Sequence, residues 1–161
     1  MRQFSIKKDA DGAPMSIEIA KEYKQIDQGR IKSLHCSPNG KFLFTGDSLG
    51  NIRQFSLVLN GKIKEYNKIT KKPITSLQCS HDSKYLYIGT NDGQLKLVSI
   101  NNQMLMKDYG QILRGSISSI VISYDQKWMF ISNDESQILQ FDQERFTDEL
   151  CHGISPQQNI L

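Results

Sequence analysis

The chain has 161 residues, 38% of them hydrophobic and 23% charged, with a formal net charge of +3. That supplies enough apolar material for one domain with its own core, and it excludes an extended, charge-driven disordered segment. The 20 basic residues are spread along the chain, without the basic stripe or interleaved aromatics of a nucleic-acid surface. No run approaches the roughly 18 apolar residues of a membrane span.

From the start, Met1 to Asp9 lack the apolar core of a secretory signal. Arg2-Gln3-Phe4-Ser5-Ile6 is a strand-like run that nearly repeats at Arg53-Gln54-Phe55-Ser56-Leu57. Between it and the next apolar run lies Lys7 to Pro14, a polar stretch with Asp-Gly and Pro that reads as a loop. Lys21-Glu22-Tyr23 then opens a pattern that returns every 43 residues, as Lys64-Glu65-Tyr66 and Lys107-Asp108-Tyr109. Ser33-Leu34, Ser76-Leu77 and Ser119-Ile120 keep that step. So do Lys41-Phe42-Leu43-Phe44, Lys84-Tyr85-Leu86-Tyr87 and Lys127-Trp128-Met129-Phe130. A fixed step means one supersecondary unit stacked on its own copies, because a single unit cannot bury its apolar surface alone.

Each unit reads as short strands. Ile31, Leu34 and Cys36 lead into the turn sequence Ser37-Pro38-Asn39-Gly40. Phe42 to Thr45, Tyr85 to Ile88 and Trp128 to Ile131 are aromatic or apolar at adjacent positions, which predicts strands buried on both faces. On that pattern Phe42, Tyr85 and Trp128 are expected to be equivalent buried core residues. Tight turns follow at Leu49-Gly50, Asp92-Gly93 and Glu135-Ser136, of which Asp-Gly is a strong hairpin signal. A third strand comes next, and a fourth carries Tyr23, Tyr66 or Tyr109. Cys36 and Cys79 share a repeat position with Ile122, so a small buried apolar slot is expected there and free cytosolic thiols overall.

Four short antiparallel strands per 43 residues is the unit of a β-propeller blade. Over about residues 15 to 142 the chain resembles the WD40 family. The resemblance rests on the run Ile31 to Ser37, on Asn39-Gly40-Lys41, Leu43 and Thr45-Gly46, and on Asp92-Gly93 with Phe55 or Phe141. The family's Gly-His pair is missing before all three units, and its Trp-Asp ending reads Phe55-Ser56, Val98-Ser99 and Phe141-Asp142. The family's hydrogen-bonded set of His, Ser/Thr, Asp and Trp is therefore never complete, which predicts blades held mainly by packing. The expected fold class is all-β: a partial, open WD40-like propeller of four-stranded antiparallel blades. Its divisions are a half blade over 1–26, blades over 31–69, 74–112 and 117–149, and a tail over 150–161. The last outer strand is expected around Phe146 to Cys151. Three and a half blades fall short of a closed ring, so the sequence reads as a piece of a larger propeller, or as an arc that self-associates or takes further blades.

Gly46-Asp47-Ser48-Leu49-Gly50 matches the G-x-S-x-G elbow and the GDSL signature of a hydrolase family, with Ser48 as the candidate nucleophile. An elbow needs a helix after the serine, whereas Asn51 to Phe55 reads as a strand. A base would also be needed, and His152 lies in a weak context, Asp148-Glu149-Leu150-Cys151-His152. His35 and His81 stand where Gln78 and Val121, and Pro38 and Tyr124, stand in the other copies. No Cys/His spacing suggests zinc, and no cofactor motif is present. The resemblance implies a non-enzymatic cytoplasmic scaffold whose partners are other proteins. The alternative is a structural subunit of a cytoskeletal, ciliary or coat assembly. The candidate protein-binding residues lie on the rim formed by the outer-to-inner connections and the hairpin turns: Arg30, Lys71, Lys72 and Arg114 on the former, Asp47, Leu49, Asp92 and Asp134 on the latter.

Overall fold

In the computed structural model, residues 2–8, 10–12, 14–22, 29–59, 63–66, 68–143 and 159–160 are described. Three four-stranded antiparallel sheets follow one another along the chain. The first joins β3 (Ile31–Cys36), β4 (Phe42–Asp47), β5 (Ile52–Ser56) and β6 (Ile63–Tyr66) in that order. The second joins β7 (Ile74–Cys79), β8 (Tyr85–Thr90), β9 (Gln94–Ser99) and β10 (Leu105–Gln111). The third joins β11 (Ile117–Ile122), β12 (Trp128–Asn133), β13 (Ile138–Asp142) and β14 (Asn159–Ile160). Ahead of them, β1 (Arg2–Lys8) and β2 (Pro14–Glu22) form a two-stranded sheet. Each four-stranded sheet is a blade, and among the described residues the sheets form an open arc.

The core lies between blades. The front face of the middle blade, with Ile74, Leu77, Cys79, Leu86 and Ile88, packs on Phe44, Ile52 and Tyr66 at the back of the first blade. Its own back face, with Tyr87, Leu95 and Leu97, packs on Ile117, Ile120, Ile122, Met129 and Ile131 of the third. Strands β8 and β9 are consequently buried on both faces after their first residues, whereas β3 alternates half-buried and exposed. The blades approach closely at their inner strands. A Cβ on Gly89 would lie 2.6 Å from Ile117 Cγ2, so that position takes no side chain without moving the third blade.

Tyr66 and Tyr109 stand in the equivalent fourth strands β6 and β10, while Tyr23 lies outside the described residues. The expectation for Phe42, Tyr85 and Trp128 is corrected. Tyr85 and Trp128 are 36% and 38% exposed and Phe42 is only half-buried. These residues open the second strand, at the margin of the blade interface, and for the back face of the third blade no described blade follows. The fully enclosed residues are one or two positions on: Leu86 and Met129 at the front, Phe44 and Tyr87 at the back. Cys79 and Ile122 fill the buried slot, but Cys36 is exposed, since among the described residues only the two-stranded sheet precedes the first blade. Residues 146–151 lie outside the described set, and within the segment expected as a tail Asn159–Ile160 pairs with β13.

An ion pair identifies the two-stranded sheet. Arg53 on β5 meets Glu65 on β6 at 2.8 Å, and Lys96 on β9 meets Asp108 on β10, at the same register of third and fourth strands. Arg2 on β1 meets Glu22 on β2 at 3.0 Å, in the same register. β1 and β2 thus share with the third and fourth strands of the first two blades both the ion pair and its register, the places in which the Arg-Gln-Phe-Ser repetition sets them. In the third blade the position is apolar, Leu139 opposite Ile160. Lys96 is buried while Asp108 stays half open to water. Removing the carboxylate in Asp108→Ala should therefore cost about 1–3 kcal/mol, because a buried ammonium loses its partner. Lys96→Leu, which copies the third blade, should stay within about 1 kcal/mol of the parent in a urea melt.

Candidate functional site

One rim of the arc is built from hairpin turns and blade-to-blade connections tied together by their backbones. Ser48 N–H donates to Arg30 O at 2.8 Å, Asn91 N–H to Pro73 O at 3.0 Å and Asp134 N–H to Ser116 O at 3.0 Å. Donors and acceptors each advance by the repeat step, so the same stitch fastens every turn to the connection beside it. The residue before each donor holds the turn. Asp47 Oδ1 accepts the N–H groups of Leu49 and Asn51, each at 2.8 Å. Thr90 Oγ1 accepts Gln94 N–H at 3.0 Å, and Asn133 Oδ1 accepts Gln137 N–H at 2.8 Å. A short acceptor side chain at the head of a tight turn captures backbone donors that the strand ladder leaves over.

This trio gives each turn a local hydrogen-bond set of its own. Its signal in the sequence is that Asp47, Thr90 and Asn133, chemically different but all short acceptors, occur at one repeat position. The opposite rim repeats a second device. Ser37, Ser80 and Ser123 hydroxyls donate to Asn39, Asp82 and Asp125 at 2.7, 2.6 and 2.6 Å, and accept the N–H groups of Phe42, Tyr85 and Trp128. Packing is therefore supplemented by polar turns at both ends of every blade.

The candidate rim residues fall into two groups. Asp47 is fully buried, so its carboxylate serves the turn and presents nothing outward. Leu49 on the same turn is 52% exposed, an apolar side chain held out from a rigid hairpin. Arg30, Lys71, Lys72, Arg114 and Asp134 are exposed and Asp92 is half-buried. Lys72 reaches Asp92 at 3.3 Å, bridging a connection to the adjacent turn. Asp134 Oδ1 accepts Ser116 N–H at 2.8 Å, and the Arg114 carbonyl accepts from Asn133 Nδ2 at 2.8 Å.

Burial alone would raise the Asp92 carboxyl, but the Thr90 hydroxyl at 2.6 Å and the Lys72 ammonium outweigh it and hold the group below its ordinary range. A lowered carboxyl contributes stability that is fully present above the unfolded value, about 4, and is lost as pH falls through the folded one. Asp92→Asn should accordingly lose less stability than the parent when unfolding is followed by circular dichroism from pH 5 to pH 2.

Ser48 does not have the surroundings of an elbow nucleophile. It sits in the β4–β5 hairpin, a strand follows it, and its hydroxyl accepts Arg30 N–H at 3.0 Å. His152 lies outside the described residues. His35 is half-buried on β3, and desolvation lowers its pKa. Among the described residues no three His, Cys, Asp or Glu side chains gather closely enough to hold a metal ion. No described helix is long and apolar enough to cross a membrane.

Residues 21–56 and 62–99 match the family model described as WD domain, G-beta repeat. Both stretches run from an outer strand to the end of the next third strand, and their ends, at Ser56 and Ser99, are one repeat step apart. No curated protein sequence matches the chain significantly. Among solved structures, the chain is similar to the RRP9 WD40 repeats, at 12% identity and a TM-score of 0.64, over 89% of this chain and 42% of that one. It is also similar to hydrazine synthase of Kuenenia stuttgartiensis, at 18% identity and a TM-score of 0.63, over 77% of this chain and 37% of that one. The chain thus spans less than half the length of either structure, and at these identities the likeness is one of fold.

Proposed function

We propose that this chain, a diverged and partial set of WD40 repeats, is a non-enzymatic scaffold that binds other proteins through its stitched rim. The observation that carries the reading is Leu49. A half-exposed apolar side chain on a turn fixed by the Asp47 carboxylate and by backbone hydrogen bonds, flanked by Arg30 and with Lys72 and Asp92 on the adjoining connection and turn, combines an apolar anchor with a polar surround. Protein interfaces favour that arrangement, and loops on a rigid scaffold are where recognition usually sits. Arg114 and Asp134 extend the mixed-charge surface to the third blade. The free thiols of Cys36 and Cys79 support a cytoplasmic setting, where thiols stay reduced.

The test is a comparison of proteins retained by the parent chain, by Leu49→Asp and by Lys71→Glu/Lys72→Glu, with Lys64→Glu on the outer strand as control. The reading expects specific, stoichiometric partners of the parent that both rim variants lose and the control keeps. Partners retained equally by every variant would contradict it.

A further inference from the structure

At the rim opposite the stitched one, the turn between the first two strands of each blade is one device built three times. The third residue of the turn is Asn39, Asp82 or Asp125, and the fourth is Gly40, Ser83 or Gln126, with φ of +68°, +57° and +62°. The N–H of the fourth donates to the carbonyl of Ser37, Ser80 or Ser123, at 2.9 Å each time. The side-chain oxygen of the third accepts the serine hydroxyl, and also the N–H of Lys41, Lys84 or Lys127 at 3.0, 3.1 and 3.2 Å. Two blades thus carry a carboxylate at this position and the first an amide. Of the three turns, only the first has a glycine next. The chain's other Asn-Gly, Asn60-Gly61, has no acidic counterpart, since Gln103 stands one step on.

We propose that Asn39 is a deamidation site whose aspartyl product the fold already accommodates. Gly40 N attacks Cγ of Asn39 and gives up its proton, the amide C–N bond breaks, and the amide nitrogen leaves as ammonia from a five-membered imide. Water then adds at Cγ and breaks the new Cγ–N bond, which returns a proton to Gly40 N and leaves a carboxylate at position 39. Asn39 and Gly40 are exposed, and nothing lies within 4 Å of where a Cβ of Gly40 would stand, so water and base reach the nitrogen. The Ser37 hydroxyl and the Lys41 N–H both donate to Asn39 Oδ1, where they draw charge from Cγ and stabilise the oxyanion that the attack creates. Two ties have to open, Gly40 N–H to Ser37 O and Asn39 N–H to Ser83 Oγ at 3.3 Å, and each hydrogen bond is worth about a factor of ten.

The product is the group that the other two turns hold. Lys84 Nζ meets Asp82 at 3.2 Å, and the Ser123 hydroxyl and the Lys127 N–H keep the Asp125 carboxyl below its ordinary range. Conversion lowers the net charge by one and gives Lys41 a partner of the kind Lys84 has. Opening of the imide at its backbone carbonyl instead yields the isoaspartyl form, with one more carbon in the main chain. The bonds from Ser37 N–H to Phe42 O and from Gly40 N–H to Ser37 O, both at 2.9 Å, leave no room for that carbon without being broken.

The experiment follows the folded 161-residue chain, Gly40→Ser and the free peptide of residues 36–43 in warm, mildly alkaline buffer. Peptide mapping by mass spectrometry counts conversion at Asn39, and chromatography separates aspartyl from isoaspartyl forms. The chain should convert at Asn39 no more than about a hundredfold slower than the peptide, the product of the two ties, and with a larger aspartyl share. Gly40→Ser, which copies the second blade, should slow conversion by about tenfold or more, because its side chain shields the nitrogen. Circular dichroism confirms that this variant is folded; if it is not, Gly40→Ala makes the same comparison. Asn39→Asp, made directly, should keep the parent's sheet signal and melt at or above its temperature. Conversion slower than the hundredfold bound, an unchanged rate in the Gly40 variant, no gain in aspartyl share, or an Asn39→Asp chain that melts below the parent would each overturn the proposal.

Discussion

Leu86→Ala should lower the unfolding free energy by about 2–5 kcal/mol, the usual cost of emptying a fully enclosed leucine site. Leu86 is completely buried on the front of the middle blade, in the same cluster as Phe44, Ile74 and Val98, and both neighbouring sheets hold the backbone that would have to move to refill the space. The informative contrast is Trp128→Ala. Tryptophan carries the larger apolar surface, yet here it is 38% exposed at the start of β12. Its truncation should cost under about 2 kcal/mol, below the range for an enclosed aromatic. Paired urea melts at equal slope give both values, and a Trp128 cost above that of Leu86 would contradict the packing described.

The second large effect is expected at Gly93, with Gly93→Ala costing about 2–4 kcal/mol. Its φ of +79° lies in the left-handed region, which a Cβ disfavours. An added Cβ would also point at the Leu113 carbonyl and stand 2.9 Å from the Gly115 carbonyl, on the connection to the third blade. Ile112 N–H donates to Gly93 O at 2.9 Å, so the turn cannot retreat without breaking that tie. The reverse substitution supplies the sign. Ser136 occupies the same repeat position with φ +61°, and Ser136→Gly should gain up to about 1 kcal/mol. Thermal melts of the two variants moving in the same direction would refute the conformational argument.

The repeat step made most of the architecture legible, because residues one step apart occupy like places in the sheets. Strand order and the shared rim of turns and connections follow from it, whereas the likeness of β1 to a third strand rests on the Arg-Gln-Phe-Ser recurrence, which breaks the step, and the Arg2–Glu22 pair gives that likeness a physical mark. Burial was less legible. Aromatics at Phe42, Tyr85 and Trp128 look like core because they open an apolar run, but they stand at the interface margin, and a pattern of residue types does not record where a neighbouring sheet stops. Asp47 misled in the opposite sense. Among surface charges it reads as rim, and its repeat partners Thr90 and Asn133 show instead that the position calls for a short acceptor facing inward. The exposure of Leu34 and Ile138 could not be read at all from equivalence, since their counterparts are buried and only the arrangement of blades decides which faces remain open.

Hydrogen exchange measured strand by strand tests the central claim, that the blades stack face to face by the repeat step with the middle one enclosed between two others. Buried, doubly covered strands open only with the whole stack, while singly covered ones open locally. The slowest amides should lie in β8 and β9, with faster exchange in β3 and in the β1–β2 sheet. Exchange in β3 as slow as in β8, or a middle blade that exchanges first, would contradict the stacked arrangement.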